Sequence, residues 1–122
     1  MRRVKVVNEK DVLKDQARIL ASLEERVKGV VLNILGGIQV NLAHELRGIG
    51  LEVMQAVMEF EISSIAGAKG KHQKDRHFSR WGHNPGSVVI DGMKVRSRIP
   101  RVVEERSRKS YGLKTYGLFR QT

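Results

Sequence analysis

The sequence predicts an α+β chain in which an N-terminal helical hairpin is followed by a basic loop and a small antiparallel β-hairpin. Three observations predict it. Apolar residues recur at helical spacing through the first half, glycine and lysine crowd a stretch past the middle, and an Asp-Gly dipeptide divides two β-rich runs near the end. At 122 residues the chain suits one modest domain, since domains commonly run about 100–150 residues. Its expected parts are a helical segment at 1–66, a basic Gly-rich linker at 67–86, and a β-hairpin with a basic C-terminal segment at 87–122.

In the first helix, Val12, Ile19, Leu23, Val27, Val30, Val31 and Ile34 fall on one face with charged residues between them. Asn8 or Asp11 supplies a side-chain oxygen for its start. Gly36 and Gly37 mark its end, because adjacent glycines lose much backbone entropy inside a helix. The second helix shows Leu42, Leu46, Ile49, Val53, Val57 and Phe60 on one face, and Met54, Met58, Ile62 and Ile65 on a neighbouring one. The two helices are expected to pack face to face, with Met54 and Met58 as core fillers. An apolar face left over would invite a partner.

After Ala66 the chain turns to glycine, lysine and histidine, too polar for a core. Beyond it, residues 87–90 and 94–99 are rich in β-formers and flank Asp91-Gly92, a pair suited to a tight turn because both positions tolerate positive φ. In the second strand Lys94, Arg96 and Arg98 alternate with Val95, Ser97 and Ile99, which places three cations on one face.

Charge is distributed unevenly. The formal net charge is +10, yet residues 1–66 carry nine cations and nine anions, while residues 67–122 carry fourteen cations against four anions. The late half is therefore the part that attracts polyanions. A two-stranded ribbon fits the DNA major groove, and a basic face neutralises several phosphates at once. The run Arg106, Arg108 and Lys109 is weaker evidence and reads as a solvated loop.

Other chemistries lack their residues. With no cysteine there is no disulfide framework, thiolate zinc site or cysteine nucleophile, in keeping with a reducing cytoplasm. His72, Asp75, His77 and His83 invite a zinc reading, but His72 and His77 stand five apart, which matches neither a helical pair nor a usual finger. His44 reads as a structural residue of the second helix. Gly70-Lys71 is followed by His72 rather than Ser or Thr, and Ile65 stands where a phosphate loop needs its first glycine. Ser63 and Ser64 have no base and orienting acid, and the carboxylates are scattered among lysines and arginines rather than gathered around a metal. Charged residues Glu9 to Asp15 occupy the place of a signal peptide's apolar core, and no apolar run approaches the roughly 20 residues of a membrane helix. A soluble, cytoplasmic protein without membrane contact is expected.

Two stretches go beyond composition: GAKGKHQKDRH at 67–77 and RWGHNPGSVVIDGMKVRSRIPRV at 80–102. Together with LKTYGLFRQ at 113–121, they resemble the N-terminal region of Mutator-type bacterial insertion-sequence transposases. There a basic loop, a Trp-Gly-x-x-Pro-Gly-Ser strand and a Pro-Arg-Val strand occur in that order. The chain departs from that pattern at Ser97, where the family tends to an apolar residue, and between Val103 and Tyr111.

The resemblance implies a DNA-binding fragment of a transposase, acting on the terminal inverted repeats of a mobile element. Its metal-dependent acidic triad would lie in an RNase H-like domain beginning after Thr122, so no catalytic residue transfers and no cofactor is expected in the fragment itself. By resemblance Lys69, Lys71, Arg76, Arg80, Lys94, Arg96, Arg98 and Arg101 are candidate contacts to double-stranded DNA, and Trp81, Pro85, Gly86, Pro100 and Tyr116 are shape-setting residues. A homo-oligomer or a complex with full-length transposase is the expected protein partnership. Two alternatives belong to other classes: a stand-alone regulator or inhibitor of transposition, and a helical interaction module with a basic tail.

Overall fold

A computed structural model describes residues 8–67 and 77–120. The fold is α+β, with two N-terminal helices followed by a small three-stranded antiparallel sheet. Helix α1 spans Glu9–Leu35 and helix α2 spans Leu42–Ala66. Asn8, rather than Asp11, caps α1, its side-chain oxygen accepting from the N–H groups of Lys10 and Asp11 at 3.0 and 3.3 Å. Glu9 and Asp11 add negative charge where the helix dipole favours it. Gly37, at φ +79°, turns the chain out of α1. Asn41 caps α2 by accepting from the His44 N–H at 3.1 Å.

The helices run antiparallel, held where Arg26 of α1 reaches Glu52 at 2.5 Å and Glu45 at 3.6 Å on α2. Their expected apolar seam is only partly present. Val27, Val31 and Ile34 of α1 and Leu42, Leu46 and Val53 of α2 are exposed. The other face of α2 wins the core: Met58, Ile62 and Ala66 pack against Val88, Ile99, Val102 and Leu113. The sheet offers α2 a broad apolar surface, whereas α1 buries only Val12 and Asp15. Among the described residues no helix is long and apolar enough to cross a membrane.

Strand β1 (Phe78–Ile90) and strand β2 (Met93–Glu104) form the hairpin, and a short β3 (Ser110–Tyr111) pairs with β2 at Val102 and Val103. Asp91 and Gly92, at φ +52° and +76°, make the expected two-residue turn, with Ile90 opposite Met93. The expected linker at 67–86 is shorter than its composition suggests, because residues 78–86 belong to β1. Gly82, Pro85 and Gly86 disguise the strand, and a bulge interrupts its alternation. Between the pairs Arg80–Val102 and His83–Pro100, Trp81 and Gly82 stand against Arg101 alone. Pro85 lies on the edge strand, and Pro100 lies where β2 has no β3 partner, so neither removes a needed donor from the middle of the sheet.

A last helix, α3 (Lys114–Phe119), closes the core although nothing in the periodicity announced it. Its N-terminus has no side-chain cap of its own. Glu61 of α2 serves instead, accepting from the N–H groups of Lys114 and Thr115 at 2.9 Å each and from the Thr115 hydroxyl at 2.7 Å. Tyr116 of α3 reaches over Gly86, where an added Cβ would stand 2.7 Å from both the Tyr116 Oη and Ile99 Cγ1. Gly86 and Tyr116, both expected to set shape, are thus contact partners.

Candidate nucleic-acid interface

The cations expected to act together do not form one group. Lys94, Arg96 and Arg98 are exposed, and alternate with Val95, Ser97 and Ile99, which are half-buried or buried. The alternation follows from the core: Ile99 packs on α2, and Ser97 accepts a hydrogen bond from Gln55 Nε2 at 3.1 Å, so the intervening residues must point away. That bond gives the Ser97 hydroxyl a partner within the fold. Among the described residues, no carboxylate lies within 4.0 Å of the Lys94, Arg96 or Arg98 cationic groups. Across the hairpin these three stand opposite Val89, Ser87 and Pro85, none of which carries charge.

Arg98 has a second environment. It borders a cleft of about 560 Å³ between the hairpin and the two helices, whose lining includes Glu52 and Glu59 as well as Arg18. Glu52 and Glu59 are already paired there with Arg26 and Arg80, while Lys94 and Arg96 lie nearer the turn and away from that cleft.

Arg80 is placed apart from the exposed row. Its guanidinium lies inside the fold, paired with Glu59 and donating to the Ser63 hydroxyl at 3.2 Å and the Gly67 carbonyl at 2.7 Å. Both Arg80 and Glu59 are only 19% exposed. The three bonds tie β1 to the end of α2 and engage both terminal nitrogens of the guanidinium within the fold. A run of cations in a sequence does not distinguish the one that faces a carboxylate across the fold. Lys69, Lys71 and Arg76 lie outside the described residues.

Arg101 belongs to neither group. It stands beside the buried Val102, across from the bulge in β1, and its guanidinium carbon stands 5.7 Å from the centroid of Trp81. Arg108, in the loop joining β2 to β3, places its own guanidinium 6.0 Å from the same ring. Arg108 was expected only as a solvated loop cation; its contact with Trp81 carried no sequence signal, because it depends on the turn at φ +60° that re-aims the loop. His72 and Asp75 lie outside the described residues, and among the described residues no group of three or more His, Asp or Glu side chains is placed to hold a metal ion.

The titration behaviour worth noting is structural. Burial pushes the Glu61 carboxyl up, but hydrogen bonds from Thr115, Lys114 and Tyr111 together outweigh it and hold the group below the ordinary carboxylate value. Burial, with the charge and hydrogen bond of Glu61, raises the Tyr111 phenol. Comparison with family profiles, with curated proteins and with solved structures finds no match for the chain.

Proposed function

We propose that this chain is the DNA-contacting N-terminal part of a Mutator-type insertion-sequence transposase, gripping double-stranded DNA with the outer face of its β-hairpin. The observation that carries the reading is the row Lys94, Arg96 and Arg98, exposed, with no carboxylate within 4.0 Å among the described residues, on a strand whose alternate residues pack toward the core. Successive cations on such a strand stand about 7 Å apart, close to the separation of consecutive phosphates along one DNA strand. The twisted two-stranded ribbon matches the major groove in width, so phosphate contact positions the hairpin before any base is read.

Lys94 and Arg96 carry most of the grip, and Arg98 less, since it borders the cleft against the helices rather than the open end of the hairpin. Arg80 holds the hairpin on α2 and does not touch DNA. The reading assigns strand cleavage to no residue of this chain. It places the protein in the cytoplasm, on the nucleoid when DNA is bound.

The test is a titration of labelled duplex against protein at several salt concentrations. Affinity should fall steeply as salt rises, and replacing Lys94 and Arg96 together by Ala should flatten the log–log slope by about 1.8, at about 0.9 per phosphate contact. A slope unchanged by that double substitution, or no binding at low ionic strength, overturns the reading.

A further inference from the structure

Trp81 is the one tryptophan of the chain, and it is 49% exposed at the sheet bulge. The turn at this point is taken by Gly82, at φ +73°, so the indole is not needed to shape it. The bulge sets Trp81 and Gly82 against Arg101 alone, and the ring lies beside Arg101 of β2 and Arg108 of the following loop. Two guanidiniums attend it, from Arg101 at 5.7 Å and Arg108 at 6.0 Å. Those distances lie near the outer limit of cation–π contact, about 6 Å. The arginines flank the ring without being stacked tightly on it. The Arg108 side chain is 67% exposed and meets Glu105 only at 4.0 Å, while Glu105 is also engaged by the Ser79 hydroxyl.

We propose that Trp81, Arg101 and Arg108 form a second site, distinct from the Lys94 row, that takes one unpaired nucleotide of DNA. The inference rests on the DNA-binding reading and deepens it. A flat π face with two cations beside it matches a nucleotide in both parts, the base stacking on the indole and its phosphate meeting the guanidiniums. Bases inside a duplex have both faces covered by their neighbours, so the indole can receive only a base that has left the stack, at a frayed end, a single-stranded extension or a flipped position. Arg101 stands across from the bulge, whereas Lys94, Arg96 and Arg98 stand across from Val89, Ser87 and Pro85 nearer the turn, so the two sites address different parts of one DNA: the paired region on the row and the unpaired end at the bulge.

Trp81 is also the reporter. The full chain is titrated with a blunt duplex and with the same duplex carrying a short oligothymidine extension, following both DNA anisotropy and indole emission. The extended duplex should bind about 5- to 150-fold more tightly, the range expected for one stacked base, and it alone should quench Trp81. Trp81→Ala and Arg108→Ala should each remove most of that preference and leave the blunt duplex bound as before, while Trp81→Phe should retain part of it. Far-UV circular dichroism confirms that each variant is folded. Equal binding of both DNAs with unchanged emission overturns this site and leaves the duplex reading standing. Failure to bind either DNA overturns the duplex reading, and this one with it.

Discussion

Replacing Arg80 separates a structural arginine from a DNA-binding one. The guanidinium pairs with Glu59 and donates to Ser63 and to the Gly67 carbonyl at the C-terminus of α2. Arg80→Met keeps most of the aliphatic bulk and deletes these three bonds, leaving the Glu59 carboxylate largely buried without its partner. Removing one member of a fully buried pair costs about 3–5 kcal/mol. Both groups here retain 19% exposure, so water relieves part of the penalty and about 2–4 kcal/mol is expected. For a domain of this size that lowers the Tm by roughly 10–20 °C.

The assay is urea and thermal unfolding followed by circular dichroism, run on Arg80→Met, Glu59→Leu and the double variant. Because the two side chains meet, the double variant should recover about 1–3 kcal/mol relative to the sum of the singles. A single Arg80→Met variant within about 0.5 kcal/mol of the parent, the range of an ordinary surface substitution, would refute the assignment. So would normal stability combined with a loss of DNA affinity, since that outcome returns Arg80 to the contact surface.

Two further expectations concern the closure of the core. Gly86→Ala places a methyl 2.7 Å from Ile99 Cγ1 and the Tyr116 Oη, and overpacking of this kind costs about 1–3 kcal/mol; chemical denaturation that shows no loss would mean Tyr116 does not cover the strand as described. Glu61 is held below its ordinary value in the fold, so its contribution is full above the unfolded carboxylate value, about 4.3–4.5, and is lost as pH falls through the folded one. Glu61→Gln should therefore weaken the protein at neutral pH and flatten the acid limb of its stability profile, and an acid limb identical to the parent's would contradict the capping role.

The helices were legible because their signals are local. Asn8, Gly36 with Gly37, and the recurrence of apolar residues need nothing from the rest of the chain. The Asp91-Gly92 turn and the alternation after it were legible for the same reason. The first half of β1 was not, since glycine, proline and a bulge erase the period of two that identifies a strand; only the Trp-Gly-x-x-Pro-Gly-Ser resemblance placed strand at 81–87. Strand β3 and helix α3 are too short to show a period and depend on Glu61 and the Val102–Val103 edge for their existence. At the candidate interface the row Lys94, Arg96 and Arg98 followed from alternation, whereas the burial of Arg80 depended on a carboxylate 21 positions earlier in the chain. Which face of α2 would be covered could not be read either, because both carry enough apolar residues to serve and the sheet's Val88, Ile99 and Val102 decided between them.

The bulge has a consequence for assembly as well as for ligand geometry. A long edge strand is a template on which another chain can add itself, and β1, at 13 residues, is long. Pro85 offers no N–H to an incoming strand, and the extra residue at Trp81-Gly82 bends the ribbon away from a straight docking line. The edge that presents an aromatic ring to solvent is thereby guarded against indefinite side-by-side growth into fibres. Among the described residues, most of the large apolar side chains left exposed lie instead on the helices, Val27, Val31, Leu46 and Val53 among them.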